Sequence, residues 1–154
     1  MPGDLGALLD AITLRARRTF GAQACSILVH EPDTRSLVFT AMSGEGAEPS
    51  DGSESLVGVK IPDDAGIAGW VLTNCEPVLA DDVTHDRRFS EEIAETVGYV
   101  PRRLWAMPLL SEDRALGVLE VLDPLVPPEA DVRDRLADFA VEAVRTLAEL
   151  GLEE

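Results

Sequence analysis

Apolar residues recur at three- and four-residue intervals in four segments, and this spacing predicts four helices. They are Asp4–Phe20, Ala65–Thr73, Arg87–Val97 and a last segment from Pro127 or Pro128 to Leu150. Gly21 and Gly98 are expected to end the first and third helices. Asp63 or Asp64 is the expected N-cap of the second helix.

Six shorter runs, rich in β-branched and other apolar residues, predict strands. They are Ala24–Glu31, Ser36–Ser43, Leu56–Ile61, Glu76–Ala80, Leu104–Ser111 and Ala115–Asp123. Short turns join the first two and the last two, so each pair is a predicted hairpin. The fourth run starts beside Pro77 and is expected at a sheet edge. The order α-β-β-β-α-β-α-β-β-α predicts an α+β domain with an antiparallel sheet.

Composition and charge narrow the class of protein. The 154 residues are 45% apolar and 27% charged, which fits one globular domain, residues 1–154, with its core at about 5–150. A net charge of −16 repels nucleic-acid phosphates and anionic lipids, so neither is an expected partner. No run is apolar enough to span a membrane, and the first residues lack the basic region of a secretory signal. We therefore expect a cytoplasmic protein.

Two predicted loops consist mainly of polar residues. Gly44–Ser55 has no large apolar residue and is expected to be solvated. In Asp81–Asp86, His85 lies among carboxylates that could ligate a divalent metal. The spacing matches no metal signature, so we expect an acidic loop and no metal site. His30, at a strand end, is expected in a surface turn.

Four strings in a fixed order carry a family resemblance. They are Ala24–Val29; Ile61–Val71 (IPDDAGIAGWV); the series Glu76–Val78, Asp82–Val83, Asp86–Phe89 and Gly98–Tyr99; and Met107–Leu110 followed by Ala115–Leu122. Together they resemble a GAF domain, a small-molecule sensor fold related to PAS domains, over nearly the whole chain. The resemblance implies a six-stranded antiparallel sheet. The N- and C-terminal helices would pack on one face, and segments 63–74 and 81–103 would roof a ligand pocket on the other.

Residue-by-residue matching to GAF members that bind cyclic nucleotides implies a set of pocket positions. They are Ser26, Met42, Ser43, Ile67, Ala68, Ser90, Val97, Pro101 and Glu120. Trp105 joins this set because a flat ligand could stack on it if its ring faces the pocket, but core packing alone is the favoured interpretation of this residue. The mixture of apolar and a few polar residues is typical of ligand pockets.

Glu120 interrupts an apolar strand, and alternation places it on the same face as Leu116, Val118 and Leu122. A buried carboxylate needs a partner. Arg102 or Arg103 could supply one, or the carboxylate could bind a donor on a ligand. These two arginines, with Arg87 and Arg88, could instead attract an anionic ligand or form ion pairs with the many acidic residues.

The chain departs from GAF members that bind cyclic nucleotides. Those members have an Asn-Lys pair where this chain has Asp123 and Pro124. They also use hydroxyl side chains at the positions of Val97 and Pro101. These differences argue against a cyclic nucleotide as the ligand.

Two further branches of the family are also a poor match. Haem-binding members supply a histidine before the fifth strand, but Gly98–Arg103 has none. Bilin attachment uses a pocket cysteine, and neither Cys25 nor Cys75 fits that pattern. We therefore expect no cofactor. A third branch reduces free methionine sulfoxide with cysteines in pocket loops, and no cysteine follows Cys75.

The resemblance implies a non-catalytic sensor that binds a small, largely apolar ligand and acts through a homodimer or a signalling partner. A dimerisation scaffold with a filled pocket and a sulfoxide reductase are the alternatives. The last helix presents an apolar seam that supports a dimer but could equally pack on its own sheet: Leu136, Ala140, Ala143, Leu147 and Leu150. The chain has no room for an output domain, so signalling would need a separate partner unless the chain is a fragment.

Overall fold

The computed structural model describes residues 3–45, 55–127 and 129–149. Within these residues the elements follow the predicted α+β order. They are α1 (Gly3–Phe20), β1 (Ala24–Glu31), β2 (Ser36–Gly44), β3 (Lys60–Pro62), α2 (Gly66–Asn74), β4 (Val78–Ala80), α3 (Glu91–Val97), β5 (Leu104–Ser111), β6 (Arg114–Leu122) and α4 (Ala130–Glu149). None of the helices in the described ranges is long and apolar enough to cross a membrane.

The six strands form one antiparallel sheet in the order β3-β2-β1-β6-β5-β4. The two predicted hairpins are present as β1–β2 and β5–β6. β4 lies at one edge, as the neighbouring proline predicted. The central pairing of β1 with β6 sets Ser26 directly opposite Glu120. This register places both polar side chains next to each other in the middle of the sheet.

On one face, called the helix-side face, α1 and α4 pack next to each other against the strands. Phe20 of α1 meets the ring of Trp105 edge-on, with 5.5 Å between ring centroids. Edge-to-face contacts of this kind add to the stabilisation that burial provides. The described members of the predicted seam pack onto this sheet and are buried: Leu136, Ala140, Ala143 and Leu147. Leu150 lies outside the described residues.

The opposite face, called the cavity-side face, is covered by α2 and by the segments on either side of α3. Its core includes Leu28 and Val118 from the central strands and Val71 from α2. Leu116 was predicted on this face but packs in the helix-side core. The reason is a register irregularity between Pro108 and Leu110, where β6 contributes an extra residue and its alternation changes phase.

The third predicted strand is shorter than expected. Residues 56–59 form a turn, closed by the Val59 N–H donating to the Leu56 carbonyl at 2.9 Å. Gly58 in this turn has φ +95°, a conformation that other residues rarely adopt. The strand therefore starts only at Lys60.

The third predicted helix starts four residues later than expected. The Asp86 carboxylate accepts the Arg88 N–H at 2.9 Å and closes a separate turn. Ser90 then accepts the Ile93 N–H at 3.2 Å and becomes the N-cap of α3. The helix therefore begins at Glu91.

Other predicted boundaries differ in smaller ways. α2 has Ala65 as its N-cap, without a side-chain hydrogen bond, so neither predicted aspartate caps it. The Asp63 carboxylate instead lies 2.9 Å from His30 Nε2 and links the end of β1 to the segment before α2. α4 starts at Ala130, beyond the prolines. Most of the predicted solvated loop, residues 46–54, lies outside the described residues.

Candidate functional site

A cavity of about 70 Å³ lies between the cavity-side face of the sheet and the two short helices. Met42 from β2 and Glu120 from β6 form part of its floor. Most of its lining is apolar, and the other polar residues on it are Glu45, Ser90 and Tyr99. This mixture is typical of small-molecule sites, although pockets for drug-sized ligands usually measure roughly 300–1,000 Å³.

The first turn of α2 forms one wall because Gly66 lets it approach α3 closely. Gly66 has φ +73°, and a Cβ atom there would lie 3.2 Å from Ile93 Cδ1. Glycine adopts this conformation without strain and leaves room for the isoleucine. Ile67 and Ala68, which follow Gly66, are buried and line the cavity.

The C-terminal end of α3 brings further residues to the cavity. Gly98 has φ +81°, and its N–H donates to the Ala94 carbonyl at 3.0 Å. This left-handed cap ends the helix and reverses the chain. Val97, just before the cap, and Tyr99 and Pro101, just after it, therefore line the same wall.

Glu120 is buried, with 8% of its surface exposed, and it faces the cavity. Burial raises its pKa from 4.5 to about 7, because removing water disfavours the charged form. No group in the described ranges donates a hydrogen bond to its carboxyl. The arginines considered as partners point elsewhere: Arg102 is exposed, and the Arg103 guanidinium binds Asp81. Of the two alternatives for Glu120, the ion pair with Arg102 or Arg103 is therefore not observed.

Ser26 adds a second polar group to the site, directly beneath the cavity floor. It lies opposite Glu120 in the β1–β6 register and is fully buried. Its Oγ has no hydrogen-bond partner among the described residues. A buried hydroxyl without a partner thus lies beside the Glu120 carboxyl, and folded proteins rarely leave buried polar groups unpaired.

Tyr99 links the cavity wall to the end of the sheet. Its hydroxyl donates to the Asp123 carboxylate. The other oxygen of that carboxylate accepts the backbone N–H groups of Arg102 and Arg103, both at 2.9 Å. Burial, and then the Asp123 and Glu45 carboxylates, raise the pKa of the Tyr99 hydroxyl. Tyr99 therefore stays neutral and keeps its hydrogen bond at physiological pH.

Seven of the ten predicted site residues line the cavity: Met42, Ile67, Ala68, Ser90, Val97, Pro101 and Glu120. Ser26 lies beneath the floor rather than on it. Ser43 instead accepts a hydrogen bond from Arg17 Nε at 2.9 Å. Trp105 is fully buried in the helix-side core. Successive residues of a strand point to opposite faces, so Trp105 cannot follow Leu104 into the cavity.

The prediction missed several lining residues, including Glu45, Phe89, Ile93 and Tyr99. Phe89 and Ile93 lie on the same side of the α3 segment as Val97, and this apolar face was a usable signal. Tyr99 directly follows the predicted helix stop. Glu45 had no signal, because it lies in a polar stretch that predicts only a loop.

The four arginines of the presumed pocket roof do not line the cavity. Arg88 binds both oxygens of Asp86, at 2.8 and 2.6 Å, and its guanidinium lies 4.5 Å from the Trp70 ring centroid. Arg103 stacks on Trp105 at 5.1 Å and binds Asp81. For these two residues the ion-pair alternative is the one observed.

The cysteines and histidines also lie outside the cavity lining. Cys25 is fully buried, and burial raises the pKa of its thiol, which makes it a poor nucleophile. Cys75 caps the C-terminus of α2 with φ +56°. His85 Nδ1 is 3.9 Å from Asp82. In the part of the chain that the structure describes, no group of three or more potential ligands could hold a metal.

Two curated relatives are cyclic-nucleotide phosphodiesterases. The chain is 32% identical over 76 residues to the cone cGMP-specific 3',5'-cyclic phosphodiesterase subunit alpha' of Mus musculus, covering 49% of this chain and 9% of that protein. It is 32% identical over 108 residues to the dual 3',5'-cyclic-AMP and -GMP phosphodiesterase 11A of Takifugu rubripes, covering 66% of this chain and 12% of that protein. The chain thus spans about a tenth of these relatives.

Solved structures share the fold at low identity. The GAF domain of a phosphoenolpyruvate-protein phosphotransferase from Coxiella burnetii has a TM-score of 0.81 at 16% identity, covering 97% of this chain and 86% of that one. A methyl-accepting chemotaxis protein, residues 122 to 287, has a TM-score of 0.78 at 20% identity, covering 97% and 92%. Free methionine-R-sulfoxide reductase from Neisseria meningitidis has a TM-score of 0.70 at 18% identity, covering 96% and 81%.

The family comparison agrees with the architecture described above and with the resemblance of the four sequence strings. The family model of the GAF domain matches residues 4–150, which is almost the full length of the chain. The chain belongs to the GAF domain family.

Proposed function

We propose that this chain is a regulatory sensor module that binds a small, largely apolar molecule without transforming it. The observation that carries the proposal is the cavity, where an apolar lining surrounds Glu120, a buried carboxyl with no partner in the described ranges. Burying a polar group without a partner costs free energy. A ligand that donates to Glu120 would remove that cost on binding.

The kinds of protein in which GAF domains occur support a regulatory role. GAF domains occur in signalling proteins such as phosphodiesterases and chemotaxis proteins. The chain matches about a tenth of its phosphodiesterase relatives, so we do not assign their activity to it. The positions of the cysteines support a non-catalytic role, because neither thiol lines the cavity.

The hydrogen bonds around Asp123 suggest how occupancy reaches the helices. Tyr99 contacts both the cavity and Asp123, which holds the backbone of Arg102 and Arg103. The Arg103 guanidinium donates to the carbonyl groups of Pro124 and Val126, in the segment that leads into α4. A ligand that displaces Tyr99 would therefore shift the start of α4.

A dimerisation scaffold is the second candidate, and the small volume of the cavity favours it. About 70 Å³ is little room for a ligand. Apolar side chains on the outer surfaces of α1 and α4 remain exposed, including Leu8 at 50% and Val141 at 48%. In both candidate functions we propose a homodimer through these two helices.

Native mass spectrometry of the purified protein, repeated after denaturation, separates the two functions. A dimer with extra mass that leaves on denaturation supports the sensor and gives the mass of its ligand. A dimer without extra mass favours the scaffold. A monomer contradicts the proposed dimer.

A matched pair of substitutions tests whether any retained molecule occupies this cavity. Val97→Phe adds bulk to the cavity wall, whereas Val100→Phe makes the same change at a position that is 63% exposed. We expect Val97→Phe to lower ligand occupancy at least tenfold and Val100→Phe to leave it unchanged. Equal occupancy in both variants would place the ligand elsewhere and contradict the proposal.

A further inference from the structure

We infer that the cavity selects a small organic cation, an ammonium group on a short apolar body, and rejects anions. This inference rests on the proposed function and adds the chemical class of the ligand. It differs from what the phosphodiesterase relatives suggest, because their names specify anionic cyclic nucleotides.

The first argument is the charge of the lining. Two carboxyl groups, Glu45 and Glu120, line the cavity, and no Lys, Arg or His does so among the described residues. Glu45 is exposed at the cavity rim, and its charge adds to burial and Asp123 in raising the pKa of the Tyr99 hydroxyl. An anionic ligand would meet these carboxyl groups without a counter-ion. An ammonium group would be attracted by them.

The second argument is the partner that Glu120 lacks. Its side chain is more than nine-tenths buried and faces the cavity, and no described group donates to it. The guanidinium groups nearby are already bound, Arg88 to Asp86 and Arg103 to Asp81. No cationic side chain on the described lining is therefore left to pair with Glu120, and a ligand can supply the donor. A charged N–H donor makes the stronger hydrogen bond to a carboxylate.

The N-termini of α2 and α3, where Gly66 and Ser90 line the cavity, favour negative charge. The partial charge of a helix N-terminus is roughly half an elementary charge. A bound ammonium group favours the ionised form of Glu120, whose full charge exceeds that of either terminus. The helix termini can still accommodate the electron-rich end of a neutral group.

Size and apolar lining limit the rest of the ligand. An engineered apolar cavity of about 150 Å³ holds benzene, and this cavity measures about 70 Å³. The body of the ligand is therefore limited to a few carbon atoms. Ile67 and Val97 supply the apolar contact.

The test compares three probes that share one isobutyl-type body but differ in charge. Isobutylamine is a cation at pH 7, isobutanol is neutral and isobutyrate is an anion. Amide chemical shifts of the full chain, measured by NMR during titration, report both affinity and position. We expect isobutylamine to bind at least tenfold more tightly than isobutanol, with shifts in α2, α3 and β6. We expect no detectable binding of isobutyrate or cyclic GMP.

Glu120→Gln removes the charge with little change in shape, and Glu95→Gln removes the same charge from the exposed side of α3 as a control. We expect Glu120→Gln to lower the affinity for isobutylamine at least tenfold and to leave that for isobutanol unchanged. In the wild type, the affinity for the amine should rise from pH 5.5 to pH 8 as Glu120 ionises. The titratable groups that face the cavity are Glu45 after β2, Glu120 on β6 and Tyr99 after α3, and α2 presents none.

The outcomes separate this inference from the function on which it rests. If isobutanol or isobutyrate binds as tightly as isobutylamine, or if Glu120→Gln keeps the full affinity for the amine, the cation preference is overturned while ligand binding stands. If no probe binds, the molecule retained in native mass spectrometry decides: an amine or amidine supports the inference and an anion overturns it. If no probe binds and no molecule is retained, both proposals fail.

Discussion

The two faces of the sheet use the same strands for different purposes. On the helix-side face, large side chains such as Phe20, Trp105 and Leu136 are completely buried beneath α1 and α4. On the cavity-side face, short helices leave a space of about 70 Å³ and a buried carboxyl, Glu120, without a partner among the described residues. Close packing stabilises the first face. The cavity-side face keeps an unfilled cavity and the Glu120 carboxyl, and a ligand can occupy the one and bind the other.

This difference follows from what covers each face. α1 and α4 are 18 and 20 residues long and bury a continuous apolar stripe against the sheet. α2 and α3 are only 9 and 7 residues long, and glycines start or end them. Two short helices do not fill the space above the sheet, so the length of the covering elements separates a fully packed face from one with a cavity.

The largest expected effect comes from breaking the helix-side face at Trp105. Trp105→Ala removes a fully buried ring that contacts Phe20 and lies under Arg103. We expect the free energy of unfolding to fall by about 3–5 kcal/mol. Trp70→Ala on the other face removes a partly exposed ring and should cost less. Urea denaturation of the two variants measures both losses, and a larger loss for Trp70→Ala would contradict the comparison.

A smaller effect is expected at Glu120 and depends on pH. Its pKa is about 7 in the folded state and near 4.5 in the unfolded chain. The folded state therefore holds the proton more tightly, so the stability from this group is complete below pH 4.5 and is lost as pH rises through 7. Between pH 4.5 and pH 8, the wild type should lose about 3 kcal/mol relative to Glu120→Gln.

The pH dependence of other groups must be removed from this measurement. Hydrogen bonds to Thr84 and Arg88 lower the pKa values of Asp82 and Asp86 in the folded protein. These two groups therefore make the folded protein less stable as the pH falls, which is the opposite of the effect of Glu120. Because Glu120→Gln keeps both, their contributions cancel in the difference between wild type and variant. Glu95→Gln should show no such pH-dependent difference. Parallel stability curves for wild type and Glu120→Gln would show that the Glu120 carboxyl is not buried as described.

Most of the fold could be predicted from local patterns. The bounds of β1 and β5 are as predicted, because continuous apolar runs between turn residues leave little choice. One error lies where a single polar contact decides the boundary of a helix. Arg87–Phe89 has helix-compatible spacing, but the bond from Arg88 to Asp86 closes a turn there and Ser90 starts the helix.

The cavity could be predicted less completely than the fold. Matching to the family found Ile67, Ala68 and Val97 because they follow recognisable strings. Residue type did not decide between the core and the cavity for Trp105, since the face on which a side chain lies depends on strand register. It also did not decide whether an arginine or a ligand is the partner of Glu120. Arg103 is close in sequence to the cavity wall, but its guanidinium binds Asp81 and the segment before α4.

The smallest expected effect tests whether the cavity wall and the start of α4 are coupled. Tyr99→Phe removes one hydrogen bond to Asp123 and should cost about 1.5 kcal/mol. Without that bond, the Asp123 carboxylate should hold the N–H groups of Arg102 and Arg103 less firmly. We therefore expect faster hydrogen exchange at these two amides, and unchanged exchange in the helix-side half of α4 around Leu136. A uniform increase over both faces would show that Tyr99 contributes only general stability. Faster exchange confined to the segment that Asp123 holds would mean that the cavity wall is coupled through this one carboxylate to Arg103, whose guanidinium binds the segment before α4.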